Sequence, residues 1–134
     1  MRVLLDTNIL ISASGNAAGT PNLAFLKAIS APNKALVCDQ NIDEMRRVFI
    51  RKFPHKLELL EKFLAFALID LEVVRVPAKD MAAEAQIRDV ADRPILRAAM
   101  AAKVDIIVTG DKDFLDSGVT RPQIMTAADF LRLA

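Results

Sequence analysis

Asp105-Ile106-Ile107-Val108-Thr109-Gly110-Asp111 decides how this chain is read. Three β-branched apolar residues in succession, closed by Thr-Gly-Asp, form too short a run for a helix and suit a strand buried on both faces. Strands of that kind belong to parallel sheets. Val3-Leu4-Leu5, ended by Asp6-Thr7-Asn8, repeats the pattern near the start of the chain. Ala35 to Cys38 reads as another short strand. Glu72 to Val76 is strand-like and stops at Pro77, and Ile124-Met125 reads as a last edge strand.

Helical spacing fills the intervals. It marks Asn22 to Ile29 (Leu23, Leu26, Ile29) behind Thr20-Pro21, where proline suits a first turn. Ile42, Met45, Val48 and Phe49 mark a helix ending near Phe53-Pro54, and Leu57, Leu60, Phe63, Leu64 and Ala67 mark one from Lys56 to Ile69. The alanine-rich Lys79 to Ile87 reads as helical. So do Ile95 to Ala102, with Pro94 near its first turn, and Ala127 to Leu133 behind the capping Thr126. This alternation predicts an α/β fold: a central, mostly parallel sheet of four to five strands with helices on both faces. No linker, repeat or low-complexity tract divides the 134 residues, so 1–134 reads as one domain.

Composition removes several function classes. Hydrophobic residues at 53% and charged residues at 26% exclude disorder. The longest apolar run, Phe63 to Ile69, is far short of the roughly 20 residues a membrane span needs. The opening MRVLLDTN carries an acid too early for a secretory leader. A lone cysteine, Cys38, forms no internal disulfide and reads as a small buried hydrophobe, so the reducing cytoplasm is the expected compartment. A net charge of +1 means that any polyanion is held by a local patch rather than a global field.

The acids carry the chemistry. Asp6 directly follows one buried strand, and Asp111 follows another after Thr109-Gly110. In a parallel α/β sheet the carboxyl ends of the strands line one crevice, so distant acids can meet there. Glu44, early in the helix after the second strand, and Asp92, two residues before Pro94, are further candidates. Clustered carboxylates repel one another unless some stay protonated or a hard cation such as Mg²⁺ or Mn²⁺ joins them. One histidine and one cysteine supply no zinc site, and His55 lies in a charged stretch with no nucleophile beside it. Acids with a metal point to water activated for phosphoryl hydrolysis.

Plainer readings stand beside these. Asp6 also suits a strand-end turn or a cap, and Asp92 an N-cap. Glu44 beside Asp43 also suits a solvated helix start. Thr7 and Asn8 are turn formers or carboxylate partners, and Asp113 and Asp116 are loop charges or site acids. The basic run Arg46, Arg47, Arg51, Lys52, His55, Lys56 is a solvated face or, beginning beside Glu44, a holder of phosphate backbone.

Four segments together resemble PIN-domain nucleases: Val3-Leu4-Leu5-Asp6-Thr7-Asn8; Asp43-Glu44-Met45-Arg46-Arg47-Val48; Asp89-Val90-Ala91-Asp92-Arg93-Pro94-Ile95-Leu96-Arg97-Ala98-Ala99; and Val108-Thr109-Gly110-Asp111-Lys112-Asp113-Phe114-Leu115. They occur in the family's order over nearly the whole chain. Asp39 departs from the pattern, standing where many relatives carry Ser or Thr. The resemblance implies a Mg²⁺- or Mn²⁺-dependent ribonuclease in which Asp6, Glu44, Asp92 and Asp111 hold metal. Asp113 would assist them, and Thr7, Asn8 and Thr109 would orient them. Arg46, Arg47, Arg51 and Lys52 are the candidates for contact with the RNA backbone. It further implies the toxin of a bacterial toxin–antitoxin pair, homodimeric and neutralised by a small antitoxin protein.

Two other classes also gather acids at strand ends. A haloacid dehalogenase-like phosphatase would use Asp6 as nucleophile and Gly110-Asp111 with Asp116 as its metal motif. It wants a second acid two residues after the nucleophile, where Asn8 stands. A non-catalytic phospho-receiver-like module wants an aspartate after the third strand, and Val73-Val74-Arg75-Val76-Pro77 offers none.

Overall fold

A computed structural model describes residues 1–133. Five strands, β1 (Arg2–Leu5), β2 (Lys34–Cys38), β3 (Leu71–Val74), β4 (Ile106–Val108) and β5 (Gln123–Met125), form one sheet in the order β3-β2-β1-β4-β5. Every pairing is parallel, with Leu4 opposite Leu36 on one side and Ile107 on the other. The predicted sheet is present, with five strands.

Side-chain alternation divides the core. Val3, Leu5, Ala35, Val37, Ile106 and Val108 face one layer of helices: α1 (Thr7–Gly15), α2 (Thr20–Ile29), α3 (Asp39–Lys52), α4 (Leu57–Asp70) and α7 (Ala127–Arg132). Leu4, Leu36 and Ile107 face the other layer, made by α5 (Arg93–Ala101), Phe114 of the short α6 (Lys112–Leu115) and Ile87. Val3, Leu4 and Leu5 are fully buried, and each such side chain contributes about 1.5–3 kcal/mol of hydrophobic stabilisation. Among the described residues no helix is long and apolar enough to cross a membrane.

Three expectations change. Helix α1 occupies residues to which the sequence assigned no element. It buries Ile9, Leu10 and Ala13 although Thr7, Asn8, Ser12 and Ser14 are weak helix formers. Helix α2 is where spacing placed it, but the buried face is Ala24, Phe25 and Ala28, while Leu23 and Leu26 are exposed. Phe25 brings the larger apolar area, and the two alanines permit close approach of α1 and α7. Lys79 to Ile87 is not a helix of that length: only Ala82–Gln86 turns, as a 3-10 segment.

That last difference has a polar cause. Arg97 on α5 donates to both carboxylate oxygens of Glu84 (2.9 and 2.8 Å), to Asp80 (2.8 Å) and to the carbonyl of Pro77 (2.8 Å). Glu84 also accepts from the Met81 amide and is buried. The guanidinium beside it holds its carboxyl below the usual range. One arginine thus pins the connection between β3 and α5 at three points. Arg97→Ala is expected to lower the melting temperature by several degrees in a thermal melt, and Arg97→Lys to restore little, because one ammonium cannot span the four acceptors.

Candidate active site

The strand order reverses between β1 and β4, and ligands in such sheets bind beyond the carboxyl ends of the strands at that point. Asp6 stands immediately after β1 and Asp111 three residues after β4, so both lie at this edge of the sheet, Asp111 lining the crevice and Asp6 buried. Asp6 is 4% exposed and caps α1, accepting from the Thr7 amide through Oδ1 (2.7 Å) and from the Thr109 hydroxyl through Oδ2 (2.7 Å). The same Thr109 Oγ1 accepts from the Asp111 amide at 3.0 Å. One buried hydroxyl therefore sets the spacing of the two strand ends.

A cleft of about 460 Å³ opens there, lined by Gln40, Asn41, Glu44 and Arg47 of α3, by Asp89, Asp92 and Ile95 at the entry to α5, and by Asp111. Glu44 is held by the Thr7 hydroxyl, which donates to Oε2 at 3.2 Å. Asp111 caps α6 and accepts from the Asp113 amide at 2.9 Å. Asp92 ends a 3-10 turn, Val90–Asp92, whose N-cap is Asp89; Asp89 Oδ1 accepts from the Ala91 amide at 3.0 Å. One oxygen from each of Asp89, Asp92 and Asp111 lies within 4.8 Å of the others.

The electrostatics follow from this crowding. Burial pushes the Asp6 carboxyl from the ordinary 3.8 up to about 6; the Thr109 and Thr7 hydrogen bonds oppose the rise, and the charges of Glu44 and Asp111 add to it. Asp92 lies well above the usual carboxylate range, first through burial, then through the carboxyl of Asp111 facing it and the charges of Asp6, Asp111 and Asp89. Its Oδ2 is buried with no hydrogen-bond donor. Two facing carboxyls with an unsatisfied oxygen need either a shared proton or a cation. An all-carboxylate donor set fits a hard divalent ion; Asp92 and Asp111 are close enough to share one, while Glu44 and Asp6 stand outside that close group.

The structure sorts the remaining candidates. Thr7 and Thr109 do hold acids, whereas Asn8 Oδ1 accepts from the Gly110 amide (3.2 Å) and ties α1 to the β4 exit. Asp113 gives its amide to Asp111, but its own carboxylate faces Arg88 at 3.8 Å, outside the acidic group. Arg46 is bound to Glu61 of α4 by two hydrogen bonds (2.8 and 3.3 Å), so its charge is committed. Arg47 lines the cleft, Arg51 follows it one turn further along α3, and Arg51 and Lys52 are exposed. Asp116, which a phosphatase would need in its metal motif, is exposed at the end of α6, outside the acidic group. Cys38 is fully buried and its thiol is pushed up to about 11 by burial, as an inert hydrophobe requires. Asp89 was not among the sequence candidates; its signal was the three-residue spacing to Asp92.

A parallel sheet whose switch point carries a carboxylate-lined cleft defines an acid-dependent hydrolase of phosphate esters as the class that this geometry suits. The PIN domain family matches residues 2–113, and the chain belongs to that family. Comparison with curated protein sequences gives no match. Among solved structures, VapBC2 from Rickettsia felis, bound to a DNA fragment from their promoter, is similar with a TM-score of 0.70 and 18% identity, covering 93% of this chain and 97% of that one. PAE2754 from Pyrobaculum aerophilum has a TM-score of 0.63 at 15% identity, over 98% of this chain and 88% of that one. Mycobacterium tuberculosis VapC20, a sarcin-ricin loop cleaving toxin, has a TM-score of 0.61 at 15% identity, over 87% and 95%.

Proposed function

We propose that this chain is a Mg²⁺- or Mn²⁺-dependent endoribonuclease that hydrolyses RNA phosphodiester bonds and serves as the toxin of a toxin–antitoxin pair. The observation that carries the reading is the donorless, buried Oδ2 of Asp92 set against Asp111 in an open acidic cleft. A bound hard cation would supply charge neutralisation for the phosphate and acidify a water for attack. Asp92 and Asp111, with Glu44 and Asp6, would hold it, while Thr7 and Thr109 keep Glu44 and Asp6 in place. Arg47 and Arg51 would take the RNA backbone along α3, with Lys52 beside them.

The toxin assignment draws on family membership and on the two similar structures that are named as a VapBC assembly and an RNA-cleaving toxin. A small antitoxin protein, a second copy of the chain and the cytoplasm are the partners and compartment this reading expects. In the test, purified protein cuts a structured RNA in Mn²⁺ or Mg²⁺, loses at least about 10²-fold of that rate in EDTA, and leaves an aryl phosphate untouched. Full-rate cleavage in EDTA, or turnover of the aryl phosphate, would sink the reading.

A further inference from the structure

We infer that Asp89 is a direct ligand in the acidic cleft, joining Asp92 and Asp111 as a further carboxylate on the cation; the inference rests on the metal-dependent reading above. A 3-10 turn has three residues per turn, so positions i and i+3 stack on one side. Asp92 N donates to the Asp89 carbonyl at 3.1 Å, closing that turn and placing the two carboxylates above one another. Asp89 Oδ1 is occupied by the Ala91 amide, which fixes the carboxylate and leaves Oδ2 available. One of its two carboxylate oxygens lies within 4.8 Å of one from Asp92 and one from Asp111, a separation that one small cation bridges. Independently, Asp92 Oδ2 sits in a residue only 8% exposed, without a donor, beside the carboxyl of Asp111. A hard ion prefers six oxygens, and Asp89 supplies one from a pinned backbone position next to those of Asp92 and Asp111.

The test is Mn²⁺ binding by calorimetry on wild type, Asp89→Asn and Asp70→Asn. Asparagine caps a turn as well as aspartate, so Asp89→Asn keeps the Ala91 hydrogen bond and the fold. Asp70, exposed at the end of α4, controls for loss of one distant charge. Asp89→Asn is expected to weaken Mn²⁺ binding by about 10- to 100-fold, Asp70→Asn to leave it unchanged, and RNA cleavage by Asp89→Asn to recover at high Mn²⁺. Wild-type affinity in Asp89→Asn, or equal loss in both variants, overturns the role of Asp89 while leaving the nuclease reading intact. No Mn²⁺ binding by wild type would overturn the metal-dependent reading itself.

Discussion

Replacing Asp6 with asparagine is expected to lower RNA cleavage by about 10³-fold or more at saturating Mn²⁺ while the chain stays folded. The substitution changes charge and almost nothing else. An asparagine at this position would still accept from the Thr7 amide through its side-chain oxygen, so the start of α1 keeps its cap. The new amide nitrogen would donate to the Thr109 hydroxyl, which in the wild type donates to Asp6, and that hydroxyl can rotate to suit. What disappears is a negative charge that acts on Asp92 and, through Thr109, sits two hydrogen bonds from the Asp111 backbone. The checks are initial rates on a defined RNA and a circular-dichroism melt. Cleavage at the wild-type rate would remove Asp6 from the chemistry.

The second large effect is on stability. Without metal the cleft holds carboxyls that prefer their protons in the native state, since Asp6 is raised from 3.8 to about 6 and Asp92 is raised further from the carboxylate range. A carboxyl whose folded value exceeds its unfolded one stabilises the fold while it is protonated, and that contribution is lost as pH rises through the folded value. For Asp6 the difference corresponds to roughly 3 kcal/mol, gone above about pH 7. The metal-free protein should therefore melt at progressively lower temperature between about pH 4 and 8. Asp92→Asn mimics the protonated acid, donating to Asp111 where Asp92 leaves an unsatisfied oxygen. It should raise the melting temperature in EDTA at about pH 8 and flatten the pH dependence. Mn²⁺ should stabilise wild type more at about pH 8 than at about pH 6. A metal-free melting temperature that climbs with pH over this window would contradict the crowding of these acids.

The sequence made the sheet legible because β1, β2 and β4 are buried on both faces and therefore read as short unbroken apolar runs. It did not reveal α1, whose polar residues blur the helical period, nor the buried side of α2, where small alanines mattered more than exposed leucines. Alanine content argued for helix at Lys79 to Ile87, yet Arg97, ten residues beyond that segment, dictates a pinned loop. At the candidate site, strand ends led to Asp6 and Asp111, which the fold sets at the exits of the adjacent β1 and β4. Asp89 was invisible because a three-residue spacing places side chains together only once the turn is known to be 3-10. Arg46 looked available for RNA because its partner, Glu61, lies on the next helix. Cap and site roles need not compete for Asp6: it caps α1, and the proposed site role uses the same carboxylate.

Three acids at this edge, Asp6, Asp89 and Asp111, are each oriented by a main-chain amide one or two residues ahead of them. Peptide N–H groups are the same whatever side chain they carry. Mutational drift can therefore replace Ala91 or Asp113 by any residue but proline without removing the amide that stations the carboxylate, whereas Thr7 is also tied by its hydroxyl to Glu44.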